Sequence, residues 1–311
     1  MSELIYARDV YGKTLVELGK KDKRIVVLDA DLSQSTRTQY FAKEFPERFF
    51  NVGVAEQNLM GIAAGLASCG KIVFASTFAM FATCRAFDQI RNTICYNGFN
   101  VKIVASHGGI TVGPDGASHQ AIEDIALMRS IPGMNIIVPC DGPETEKAII
   151  AAYQNIGPFY IRLGRPKVPT VEGKKEFVFG KGYILKEGKD VTLISTGFMV
   201  YQALKASEIL KNKGISAKVV NIHTIKPIDK DLILECAQTT KGIVTCEEHS
   251  VIGGLGSAVC EVLSEAKVFV PLKRIGVQDR FGQSGSPEEL LKEYKLTPSD
   301  IAEAAISLLK R

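Results

Sequence analysis

Glu56 carries the only charge in GVAEQN (53–58), and the run after it, LMGIAAGLASCG (59–70), is uncharged up to Lys71. That run is apolar or small on every side, which predicts a helix buried all round. A carboxylate in its first turn gains from the positive helix end. The common outcome for such a Glu is a surface position. Here the apolar surroundings predict a desolvated carboxyl, with a pKa raised above ~4.3. A carboxyl partly protonated near neutral pH can share a proton with a weak base.

Two more stretches hold residue types suited to chemistry. SHGGITVGPDGASHQ (106–120) packs His107, Asp115 and His119 among four glycines and a proline. It follows a strand-like run, as binding loops of open α/β sheets do, and GPDG reads as a tight turn. A plain solvent loop and a functional loop are equally consistent with it. STFAMF (76–81) sets Phe78 and Phe81 three apart, so they share a face on a helix or turn. Core packing accounts for such a pair more readily than a ligand wall does.

These residues need positioning elements, and the chain alternates strand-like with helix-like runs. IVVLDADL (25–32), KIVFAST (71–77), VKIVAS (101–106), NIIVPC (135–140) and FYIRL (159–163) are short and rich in Ile and Val. Helical stretches such as 85–97 and 123–131 lie between them. Alternation of this kind predicts a parallel sheet covered by helices. Residues 165–190 are rich in Lys, Gly and Pro and read as a linker. Strand and helix patterns then resume at 191–197, 217–223 and 242–249. Ser286-Pro287-Glu288-Glu289 and Thr297-Pro298-Ser299-Asp300 have the hydroxyl, proline and acid of capped helix starts. The expectation is two open α/β domains: 1–165, with a mostly parallel sheet, then a linker at 166–187, then a smaller domain at 188–311.

Composition narrows the function classes. The 311 residues carry a formal net charge of +4, with no basic stripe, so no nucleic-acid partner is expected. Apolar runs are too short to span a bilayer, and the N-terminus lacks a signal-peptide core. The seven cysteines form no C-x-x-C pair, which suits a reducing, cytoplasmic setting. The four histidines have no metal-ligand spacing, so no metal site is expected on this chain. Nucleotide motifs of the G-x-G-x-x-G and P-loop types are missing. Gly253-Gly254-Leu255-Gly256 could seat an anion at a helix start, although a tight turn explains it better.

GVAEQN, STF, DGASHQ and the R-x-x-R of IRLGRP, in that order, resemble the transketolase family of thiamine diphosphate enzymes over most of the chain. The resemblance implies a pyrimidine-binding domain followed by a transketolase C-terminal domain. It casts Glu56 as the acid that hydrogen-bonds a ring nitrogen of the cofactor's aminopyrimidine. Phe78 and Phe81 become the aromatic wall, with Phe81 the better stacking candidate. Family members often have another aromatic one turn on, where this chain has Cys84. Asp31 matches an acid near the cofactor across a dimer interface, and a plain strand-end acid is its structural alternative. Asp115 corresponds to a substrate-hydroxyl ligand and His119 to a histidine near the donor carbonyl. Arg8, Ser35, His107 and Arg165 fall where the family grips a terminal phosphate, a chemically apt set. His107 joins Glu56 and His119 as a catalytic candidate.

The family's GDG motif, which holds magnesium and the diphosphate, does not occur in this sequence. The resemblance therefore implies that a separate chain supplies the diphosphate-binding domain with the Mg2+ ligands, in an α2β2-type complex. The expected activity is transfer of a two-carbon ketol unit between sugar phosphates, as in the pentose phosphate pathway. Three alternatives stand beside it. A 1-deoxy-xylulose-5-phosphate synthase shares the HQAIEDIALMRSIPGMNIIVPCD region. The beta subunit of a 2-oxoacid dehydrogenase shares the split layout. A non-catalytic partner subunit would leave Glu56, Asp115 and His119 unexplained.

Overall fold

The computed structural model describes residues 4–173 and 176–310. Its strands are β1 (Leu4–Tyr6), β2 (Ile25–Asp29), β3 (Phe49–Asn51), β4 (Ile72–Phe78), β5 (Val101–Ser106), β6 (Asn135–Ile137) and β7 (Phe159–Arg162). They continue as β8 (Lys167–Pro169), β9 (Tyr183–Lys186), β10 (Val191–Ser195), β11 (Ala217–Asn221), β12 (Thr224–Lys226), β13 (Ile243–Ser250) and β14 (Leu272–Val277). One seven-stranded sheet runs β12-β6-β7-β5-β4-β2-β3, parallel except at β12. A second runs β14-β13-β10-β11-β9, parallel except at β9. Residues of β2, β4, β5 and β7 are buried throughout, as expected for strands covered on both faces. The predicted two-domain α/β fold is therefore observed.

Four expectations need correction. The segment expected to be a linker holds two strands: β8 pairs with β1, and β9 closes the edge of the second sheet. Its Lys and Gly content hid runs of three and four residues, too short to show a period. Residues 174 and 175 of that segment lie outside the described residues. The two sheets also share chain, because β12, from the second half, pairs with β6 of the first sheet. The segment expected to be a regular helix at 85–97 instead runs in wide π-type turns at Phe81–Arg85 and Gln89–Cys95. Such turns are rare and gather at functional sites.

The fourth correction concerns the helix Glu56–Ser68. It buries Glu56, Leu59, Met60, Ala63 and Ala64, while Gln57, Asn58 and Gly65 are exposed. Side chains added at Gly61 or Gly65 would meet nothing within 4 Å. This helix thus buries one face within the chain rather than its whole circumference. The capped starts appear as read: Ser286 with Glu289 and Thr297 with Asp300 both form complete capping boxes.

The start of the helix Leu255–Glu265 is filled from within. Glu247 accepts from Leu255 N at 2.6 Å and from Gly256 N at 2.8 Å. Burial pushes this carboxyl up to about 7 despite those two donors. The positive helix end that the glycines could have offered an outside anion belongs to the chain's own carboxylate.

Candidate active site

Strand register builds the centre of the site. β4 and β5 are parallel neighbours, with Phe78 opposite Ser106 at their C-terminal ends. The next residue, His107, is therefore delivered onto Phe78, and the rings stack at 3.8 Å between centroids. Phe81 begins the π-turn just past β4 and stacks on Phe78 at 5.8 Å. His119 returns from the 106–120 loop and sets its ring edge against Phe81 at 5.1 Å. Ser118 Oγ lies 3.0 Å from His119 Nδ1. Four residues from two predicted stretches thus make one aromatic wall.

Glu56 stands at one end of this wall. Its side chain is 1% exposed and sits in the first turn of its helix. Arg85 Nη1 donates to Glu56 Oε2 at 2.9 Å, and the guanidinium lies 4.7 Å from the Phe81 ring centre. The neighbourhood read as free of charge therefore contains a cation, brought by a π-turn 29 residues away. Cys84, beside Arg85, is exposed and adds no aromatic surface. Glu56 Oε1 is buried with no hydrogen-bond partner among the described residues. A buried acceptor left unmet is costly, so this atom is suited to a ligand that brings a donor or a shareable proton.

The other end is cationic. His107 is buried, sits at φ 62°, and lies 2.9 Å from Ser106 Oγ through Nδ1. Burial first, then Arg8, Arg165, His119 and Arg37, pulls its pKa down to about 3. His107 is accordingly a neutral imidazole over the working pH range. Burial, then Arg37, lowers the Arg8 pKa, and Arg165 adds to the effect. Arg8 Nη1 donates to the Ser35 carbonyl at 3.2 Å, while Arg8 Nε is buried without a partner among the described residues. Arg165 lies 3.6 Å from the Asp115 carboxylate and donates to the Val112 carbonyl. Arg37 pairs with Asp9 at 2.5 Å. Arg37 and Arg165 each face a carboxylate, while Arg8 is repelled by both, so a net positive charge is left that an anion would relieve.

Arg8, Ser35, His107, Asp115, His119, Arg165, Phe78, Phe81 and Glu56 are thus drawn together from across the first domain. Asp31 is exposed at φ 63° and receives Asn51 Nδ2 at 2.8 Å. No hydrogen bond or ion pair joins it to Glu56, Phe78 or Phe81 among the described residues. Sequence reading missed Arg37 and Arg85. Arg37 lies two residues past Ser35, so its place was legible once Ser35 was chosen. Nothing local marks Arg85. Among the described residues no cluster of three or more His, Cys, Asp or Glu side chains is placed to hold a metal ion. No helix among them is long and apolar enough to cross a membrane.

Beneath the wall lies a buried polar group where the two domains meet. Arg162 Nε donates to Asp124 at 2.7 Å, and Tyr160 donates to the same oxygen at 2.6 Å. Removing one partner of such a pair costs about 3–5 kcal/mol.

A parallel α/β domain whose strand ends carry an aromatic wall, a buried acid and an arginine cluster defines the class: a two-domain enzyme-type α/β chain. Family comparison makes it specific. Residues 4–170 match the transketolase pyrimidine-binding domain, and residues 180–301 match the transketolase C-terminal domain. The chain belongs to the transketolase family. It is 53% identical over 307 residues to a putative transketolase C-terminal section of Methanocaldococcus jannaschii, covering 98% of this chain and 96% of that protein. It is 44% identical to a 6-deoxy-6-sulfo-D-fructose transketolase subunit of a Clostridium species, covering 98% of this chain and 95% of that one. Against the transketolase of Rattus norvegicus it is 40% identical and spans half of that protein's length. A solved structure described as a split gene transketolase, inactive beta4 tetramer, superposes with a TM-score of 0.91 at 54% identity, over 98% of this chain and 99% of that one.

Proposed function

We propose that this chain is the C-terminal subunit of a thiamine diphosphate-dependent transketolase, moving a two-carbon ketol unit between sugar phosphates. The observation that carries the reading is the polarity of the wall. A buried Glu56 oxygen with no hydrogen-bond partner among the described residues stands at one end, and Arg8, repelled by Arg37 and Arg165, stands with them around a neutral histidine at the other.

When bound, thiamine diphosphate supplies a nucleophilic carbon able to take up a two-carbon unit from a ketose. Glu56 Oε1 is suited to share a proton with a ring nitrogen of the aminopyrimidine, and Arg85 keeps the other oxygen occupied. Phe81 and Phe78 offer that ring a flat apolar face and exclude water from it. Asp115, and His119 within the wall, are suited as ligands for sugar hydroxyl and carbonyl groups. Arg8, Arg165 and Arg37, with Ser35 and His107, receive the terminal phosphate. The diphosphate group and its Mg2+ are assigned to a partner chain carrying the diphosphate-binding domain. Assembly as an α2β2-type complex in the cytoplasm completes the proposal. Asp31, exposed on this chain, is assigned to the side that faces the neighbouring subunit.

Mixing the chain with a diphosphate-domain partner, thiamine diphosphate, Mg2+, xylulose 5-phosphate and ribose 5-phosphate tests the reading. Ketol transfer is the expected result. Consumption of pyruvate with glyceraldehyde 3-phosphate instead would replace it with a synthase reading. A sulfonated ketose belongs in the same assay, because one relative is named for 6-deoxy-6-sulfo-D-fructose and the arginine cluster suits either anion.

A further inference from the structure

The C-terminal domain holds no residue of the aromatic wall, yet it lies directly under the loop that supplies His107, Asp115 and His119. Glu248, near the end of β13, is buried, and its Oε1 accepts from Thr111 N at 2.6 Å. This is a side-chain carboxyl oxygen of one domain accepting from a backbone amide of the other. The fit is close. Gly109 sits at φ 95°, and a Cβ there would collide with the Glu248 carboxylate. The same strand end is anchored from below, where Arg162 Nη2 donates to both the Glu248 and Ala121 carbonyls at 2.9 Å. Ala121 O also accepts from Gly109 N at 2.8 Å, so both ends of the loop meet one guanidinium-centred knot. A second point of support comes from Gln120 Nε2, which donates to the Ile110 carbonyl at 3.0 Å and the Gln283 carbonyl at 2.9 Å.

We propose that Glu248 is a positioning residue for the site. By holding the Thr111 amide, the C-terminal domain sets where His107, Asp115 and His119 stand. Glu248 touches neither substrate nor cofactor; it acts through the path of the 107–119 backbone. This gives the second domain a task in the reaction that the wall itself does not reveal. The kinetic consequence rests on the proposed transketolase reading, whereas the structural consequence does not.

Hydrogen exchange on the full chain tests the positioning alone. Glu248→Ala should speed exchange of amides 108–116 by roughly ten-fold, the effect of leaving one buried amide without its acceptor. Glu248→Gln, which keeps an oxygen in the same place, should restore protection. The interdomain bond from Ser250 N to the Ile122 carbonyl, 2.8 Å, serves as the control and should stay protected in both variants. Unchanged loop exchange in Glu248→Ala overturns the proposal. So does a rise at Ser250 equal to that in the loop, which would make Glu248 simple interdomain glue. Should the Ala variant not fold, Glu248→Asp makes the same comparison, because the shorter arm withdraws the acceptor. In the reconstituted complex, kcat/KM for the ketose donor should fall at least tenfold in Glu248→Ala, with half-saturation by thiamine diphosphate unchanged and Gln rescuing. If the wild-type complex shows no ketol transfer, the functional reading fails and the exchange data still judge the positioning.

Discussion

Replacing His107 by Asn should remove a pH-dependent loss of stability whose size follows from the structure. The native pKa is about 3, held there first by burial and then by Arg8, Arg165, His119 and Arg37. In the unfolded chain the imidazole returns to ~6.5. Between these values the unfolded state binds a proton that the native state refuses, so stability falls as pH drops from ~6.5 toward 3 and is untouched above it. At pH 5 the gap is ~1.5 pH units, worth about 2 kcal/mol, and the full shift caps the effect near ~5 kcal/mol. The ring is 3% exposed, so solvent screens its burial share little. Asn tolerates the φ of 62° and does not titrate. Urea unfolding followed by circular dichroism at pH 7, 6 and 5 gives the test. The His107→Asn variant loses the stacking on Phe78, so its absolute stability drops; the quantity of interest is the slope. The difference between wild type and variant should shrink by about 2 kcal/mol from pH 7 to 5. Parallel pH curves for the two proteins would refute the reasoning.

Two further outcomes address the site. Glu56→Gln should cut kcat of the reconstituted complex by at least 10²-fold, the lower end of what a positioned proton partner contributes, with the fold intact by circular dichroism; turnover near wild type removes Glu56 from the chemistry. Arg165→Ala should raise KM for phosphorylated sugars by about ten- to a hundred-fold, the loss of a bond between charged groups, and barely alter it for unphosphorylated ones; equal losses on both substrates would defeat the phosphate assignment.

Much of the site was legible because its residues announce themselves in short runs. GVAEQN places a lone carboxylate at a helix start, and the 106–120 loop gathers two histidines and an aspartate in one glycine-rich stretch. The Ile- and Val-rich strands were legible for the same reason: burial on both faces leaves a continuous apolar run. Arg85 was not legible, since its pairing with Glu56 depends on π-turns that no local pattern signals. Helix Glu56–Ser68 misled in the opposite direction. Its uncharged circumference reads as burial, yet a face of Asn58, Gly61 and Gly65 stays open in this chain. Composition reports what a surface avoids, and it does not say whether the covering partner lies in the same chain.

By itself the sequence determined which residues could do chemistry, the alternation that builds two parallel α/β layers, and the capped helices at its end. These are local properties, carried by side-chain type and spacing over a few residues. Tertiary structure alone decided that Phe78 stacks on His107, because that contact follows from the register of β4 against β5. It alone placed Arg8, Arg37 and Arg165 around one histidine, and it alone laid Glu248 of the second domain beneath the loop of the first. Each of these joins residues through sheet order and domain packing, which long-range contacts set and short sequence runs do not encode.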